Sequence, residues 1–257
     1  MTATCHRAAP AAYCDLLPPE IERLARVLSD LDLAARVPTC PDWTVEDLAV
    51  HIGTIHRWAM NMVKVLTPKR ISSATLDLGM PAEPANLAGW VRDGAEPLVE
   101  ILRAADHDAP MWGWGSDPHA RFWSRRMIFE SAVHRADAEF TAGIEPSIDR
   151  AVAVDGVDEF LDNLPHAAYF APRVKELTGT GSRIAFRAGD ANVTWTITLG
   201  SDGFTWDHTG PAADATIEGA SGDLLLLAYG RRKRDDERFD VSGDRSLLDF
   251  WVERSSI

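Results

Sequence analysis

Two periodicities run along this chain. To about residue 165 apolar residues recur at alternating spacings of three and four, as on helices with one buried face; from about residue 183 they alternate with polar ones, as on half-buried strands. The switch falls in FAPRVKELTGTGSR, where proline, glycine and serine break both patterns. It predicts a helical domain over 1–170 and a smaller one over 171–257. In the second part, strands at 183–187, 192–199, 204–208, 214–219 and 239–243, with a short helix at 221–230 between the last two and a last helix at 244–255, make an α+β pattern with a mainly antiparallel sheet.

In the first part, a helix is expected from Pro18–Pro19 to about Leu33, with Ile21, Leu24, Ala25, Leu28 and Leu31 on its buried stripe. The next has a well-marked start in CPDWTVEDLAVHIG. Thr44 can cap it, Asp47 can return the bond, and Trp43 can pack on Leu48 as a hydrophobic staple. Its apolar face then runs Val45, Leu48, Ile52, Ile55, Ala59, Met62 and Leu66. His51 flanks that face, whereas His56, about 140° further round at 3.6 residues per turn, is expected at a solvated rim. Residues 67–86 read as loop, and 87–105 as a helix that Pro97 kinks or restarts. A loop rich in Gly, Pro and Trp precedes a helix from about Arg121 to Ala142, ended by Gly143, and a last helix of this part runs from beyond Pro146 to about Leu164.

The helix at 121–142 carries Phe129, Val133, Ala136 and Phe140 on its apolar stripe, with Glu130, His134 and Asp137 directly beside it. A carboxylate and an imidazole next to a buried stripe are costly unless something satisfies them. They form either a surface pair at the stripe's edge, unrelated to His51, or one half of a site that His51 completes. Facing helices of a bundle build such sites in their core. His51, Glu130 and His134 would then be three metal ligands that leave a tetrahedral zinc an open position. Asp137 is a candidate to orient one imidazole, or else the partner of Arg135 or Arg126.

A net charge of −13 disfavours nucleic acid or an anionic membrane as a general partner. No apolar run approaches the roughly 20 residues of a membrane span, and MTATCHRAAPAAYC lacks the apolar stretch of a signal peptide. A cytoplasmic protein is expected. Cys5, Cys14 and Cys40 form no CxxC, so neither a disulfide framework nor a thiolate zinc site is expected; Cys40 reads as a small buried residue.

VPTCPDWTVEDLAVHIGTIHRWA, together with RRMIFESAVHRADAEFTAG, resembles the mycothiol-dependent maleylpyruvate isomerase family of actinobacteria, whose N-terminal domain is a DinB-like four-helix bundle. The resemblance implies His51, Glu130 and His134 as metal ligands. It departs at Phe129-Glu130-Ser131, where relatives often carry His-Glu-Thr, and at Ala136, where tryptophan is common. DATIEGASGDLLLLAYGRR and FDVSGDRSLLDFW are similar to that family's C-terminal domain, which has a fold like sterol carrier proteins. Arg231 is thereby implied as a residue that binds an anionic part of thiol or substrate; on composition alone it belongs to a solvated run, RRKR at 231–234.

What the resemblance implies is a metal-activated mycothiol thiolate that attacks a small, acidic electrophile. Addition to a cis double bond and elimination after rotation would isomerise maleylpyruvate, whereas attack on a carbon with a leaving group would be S-transfer. Zinc and mycothiol are the expected cofactors and a monomer the expected state. A non-enzymatic metal- or lipid-binding protein, with Trp195, Ile197, Phe204 and Trp206 lining an apolar pocket, is the alternative of another class; alternation on a half-buried sheet also makes these residues plain core.

Overall fold

A computed structural model describes residues 7–210 and 212–257. Cys5 lies outside them. The chain divides into two compact units, one of residues 8–113 and 117–147, the other containing 148–257.

The first unit is a helical bundle. α1 (Pro10–Asp30) packs on α5 (Arg121–Thr141) and on α4 (Ala95–Ala104). α2 (Val45–Lys64) packs on the same two, so α1 and α2 occupy opposite corners. A two-stranded hairpin, β1 (Arg36–Val37) and β2 (Cys40–Thr44), connects them. α1 starts eight residues before the expected Pro18 and ends at Asp30, short of Leu33. Burial of Tyr13, Cys14 and Leu17 in line with Ile21, Leu24 and Leu28 carries the helix through both prolines. Tertiary packing here overrides a strong local breaker.

The helix expected over 87–105 is two: α3 (Leu87–Asp93) and α4, parted at Gly94. Pro97 sits in the first turn of α4, where its missing N–H costs nothing. α5 ends as its sequence indicates, with Gly143 at φ 70° just beyond.

The second unit begins with α6 (Arg150–Asn163), whose start is capped by the Asp149 side chain on the amides of Ala151 and Val152. This helix packs on α7 (Ser221–Ala228), so the contacts divide the chain at 147/148 rather than at the change of periodicity near 170. The five strands are β3 (Arg183–Ala188), β4 (Val193–Gly200), β5 (Gly203–Asp207), β6 (Ala215–Gly219) and β7 (Asp240–Gly243), in the order β5-β4-β3-β6-β7. β3 and β6 run parallel and the other pairs antiparallel, the mainly antiparallel sheet expected. α8 (Arg245–Ser255) closes the chain. Trp195 and Ile197 are wholly buried and Phe204 and Trp206 half-buried, with the Trp195 indole donating to Asp158. No helix among the described residues is long and apolar enough to cross a membrane.

Candidate metal centre

The start of α2 sets the first candidate ligand. Thr44 accepts a hydrogen bond from the Asp47 amide, and the Asp47 carboxylate accepts from the Thr44 amide at 2.8 Å, a complete capping box. Two turns on, His51 leans toward α5. There its Nε2 lies 3.2 Å from Glu130 Oε1, and His134 Nε2 approaches the same oxygen at 3.6 Å. One donor atom from each of the three residues lies within 4.8 Å of the others. Tetrahedral zinc with bonds of about 2.0–2.1 Å sets its ligands roughly 3.3 Å apart, so the donor set fits a divalent ion.

The second oxygen of Glu130 is already held. Arg126, one turn earlier on α5, donates to Oε2 from Nε at 3.0 Å and from a terminal nitrogen as well. Only Oε1 faces the imidazoles. Burial alone would raise the Glu130 pKa, but Arg126 and the hydrogen bonds from His134 and His51 hold it well below the usual carboxylate range. Glu130 is therefore an anion here.

Asp137, wholly buried, accepts from His134 Nδ1 at 2.9 Å. Of the two arginines expected near it, Arg135 binds Glu20 and Glu139, and Arg126 binds Glu130. Since a carboxylate only accepts, the bond to Asp137 puts a proton on His134 Nδ1, and Nε2 meets Glu130 Oε1 either through a second proton or, with its lone pair, through a metal ion between them. A lone pair facing an anion calls for a positive charge between them. Burial would lower the His134 pKa, yet bonding to Asp137 and Glu130 raises it; a metal ion at Nε2 meets the same demand as that proton.

Several residues here escaped the sequence reading. The Trp43 ring, expected as a staple, lies over His51 and His134, with centroids 4.7 and 5.7 Å away. Thr39 and Cys40, in the hairpin, reach Asp137 at 2.6 and 3.7 Å; Cys40 is half-buried rather than buried, and both it and Cys14 are free thiols. Arg126 was legible in its i,i+4 spacing to Glu130. The contacts of Thr39 span 98 positions and had no sequence signal.

His56 corrects an expectation outright. It is fully buried, and its Nε2–H donates to Ser131 Oγ at 2.9 Å while that hydroxyl donates to the Met127 carbonyl. Nδ1 has no hydrogen-bond partner among the described residues. Burial pushes the His56 pKa down to about 3. The reason is that α2 packs on α3, α4 and α5, so more than one of its faces is inside.

Arg231, in the second unit, is half-buried and donates to the carbonyls of Tyr229 and Ile257. Its run is not simply solvated, because Arg232 is buried on Asp223.

The family model of the mycothiol maleylpyruvate isomerase N-terminal domain matches residues 17–139. That of the MDMPI C-terminal domain matches residues 151–250. The chain belongs to the mycothiol-dependent maleylpyruvate isomerase family. No curated protein matches it by sequence. Among solved structures, the mycothiol-dependent maleylpyruvate isomerase superposes with a TM-score of 0.60 at 14% identity, covering 94% of this chain and 96% of that one. A mutant of it with a histidine replaced by alanine gives the same values. At that identity the likeness is one of fold: a helical bundle followed by a mixed-sheet domain. The His51, Glu130 and His134 cluster falls within the part matched by the family's N-terminal domain, and Arg231 within the part matched by its C-terminal domain.

Proposed function

We propose that this protein is a metal-dependent, mycothiol-using enzyme that isomerises a small cis-unsaturated acid of the maleylpyruvate type. The observation that carries the reading is the convergence of two imidazole nitrogens on one Glu130 oxygen, in a chain whose two domains both match this family. A divalent ion held by His51, Glu130 and His134, for which zinc suits the N,N,O donors, supplies the Lewis acidity that ionises a coordinated thiol.

The chain's own residues do the rest. By holding Glu130 Oε2, Arg126 leaves Oε1 as the oxygen that this carboxylate would offer a metal. Asp137 keeps the His134 proton on Nδ1. Trp43 gives one side of the site an aromatic face. Arg231 binds the anionic part of the thiol or of the acid, for which a guanidinium is suited. A reducing cytosol, in which the thiol cofactor persists, is the proposed setting.

The test is to give the purified protein zinc, mycothiol and maleylpyruvate and follow the trans isomer by proton NMR. Turnover that needs both zinc and thiol, with the thiol recovered, is expected. Thiol consumed one for one without isomer would make the enzyme an S-transferase. No thiol-dependent reaction, together with lipid binding that survives metal removal, would make it a carrier. Arg231→Ala should retain its metal and raise the apparent KM for thiol or acid by about tenfold, the loss of one charge-assisted hydrogen bond; unchanged KM for both would remove Arg231 from the site.

A further inference from the structure

We infer that the turn of the β1–β2 hairpin is a clamp for the metal-binding histidine: Thr39, with Cys40 beside it, fixes the Asp137 carboxylate, and Asp137 fixes the orientation and tautomer of His134. The inference rests on the metal-binding reading above and adds positioning residues to it.

Pro38 and Thr39 form the two-residue turn between Val37 and Cys40, which pair across the hairpin. The Thr39 hydroxyl donates to Asp137 Oδ1 at 2.6 Å, the short bond of a hydroxyl on a carboxylate. Oδ2 accepts from His134 Nδ1 at 2.9 Å and lies 3.7 Å from the Cys40 sulfur. With Oδ1 tied to the hairpin, the carboxylate loses the torsional freedom that would let Oδ2 swing off the imidazole. The hairpin is itself well fixed. Val37 is wholly buried, β1 packs on α5, and the amides of Val45 and Glu46 donate to the carbonyls of Ala35 and Leu33. Those two bonds join the turn that leads into the hairpin's first strand to the start of α2, the helix that carries His51. One short element thus sets the origin of one ligand helix and orients the ligand on the other, which is why CPDWT does more here than begin a helix.

Outer partners of metal ligands commonly contribute 10- to 100-fold in affinity. Thr39→Val, which keeps the side chain's shape and removes its hydroxyl, should weaken zinc binding by about tenfold, at the lower end of that range because it acts through Asp137. Thr39→Ser should restore it. Asp137→Asn should weaken binding at least as much, and adding Thr39→Val to it should cost nothing further, the non-additivity of residues in one chain of contacts.

The experiment is zinc affinity by chelator competition for wild type, Thr39→Val, Thr39→Ser, Asp137→Asn and the double variant. Circular dichroism of each metal-free protein checks the fold, and nitrogen-15 NMR reads the His134 tautomer. A tenfold loss in Thr39→Val, rescued by serine and absent on the Asp137→Asn background, with the Nδ1–H tautomer in wild type, is the expected result. Zinc bound equally by wild type and Thr39→Val overturns the clamp alone, as does a loss that persists in full beside Asp137→Asn. Wild type that binds no zinc overturns the metal reading and the clamp with it.

Discussion

At Glu130 one carboxylate serves two partners, with Oε2 on Arg126 and Oε1 toward the imidazoles. Two substitutions should separate these roles. Glu130→Ala takes the carboxylate from a guanidinium that is only 6% exposed, and the metal-free protein should lose about 3 kcal/mol in urea denaturation, as when half of a buried pair is removed. Glu130→Gln keeps an acceptor for Arg126 and should lose clearly less, while still binding metal poorly. Equal stability losses would mean that the Arg126 contact contributes nothing. His56 makes a second prediction. Its pKa falls from 6.5 to about 3 on folding, so between those values the unfolded state binds more protons and stability drops as pH falls. The slope from this one group approaches about 1.4 kcal/mol per pH unit. It should be missing in metal-free His56→Gln; a variant with the wild-type slope would contradict the burial argument. At this scale the closeness of Glu130 to His134 was legible in their i,i+4 spacing beside an apolar stripe, whereas spacing left a surface pair open and only the resemblance joined His51 to them. His56 could not be read, since one helix's stripe says nothing about how many neighbours surround it.

Among the elements, α2 was the most legible, because a capping box is local chemistry and both of its bonds form. Thr44→Ala should cost about 1 kcal/mol in thermal or urea unfolding, the usual worth of an N-cap; no loss would mean that the hairpin fixes the start of α2 unaided. Gly53 faces α3 so closely that a Cβ would lie 2.1 Å from the Trp90 ring, which is itself buried. Gly53→Ala should therefore destabilise by about 1–3 kcal/mol through overpacking, and a neutral result would show that the α2–α3 contact can give way. The five strands of the second unit were read to within a residue at each end, since alternation and turn residues mark both faces and ends, whereas the β1–β2 hairpin was missed. Helix ends were read less well. The run of α1 through Pro18 and Pro19 depends on Tyr13, Cys14 and Leu17 finding a core, which no window of sequence contains.

For the whole molecule, the order of a helical part and an α+β part was legible as a change in periodicity. The division of contacts was not. α6 has a helix's sequence but packs on α7, and periodicity reports the type of an element rather than its neighbours. The same holds for function: three donor residues on two helices become a site only once the bundle brings α2 against α5. If that site binds zinc, the ion should stabilise the folded chain by about 4 kcal/mol at a thousandfold excess over its dissociation constant. The most direct test is zinc content per chain, by elemental analysis after purification without chelators and again after zinc is added back, on wild type beside His51→Ala. His51 is half-exposed, so its removal leaves the bundle's core in place. About one zinc per wild-type chain, lost in a folded His51→Ala, is the result predicted here. No zinc in wild type after addition, or equal zinc in both proteins, would contradict it.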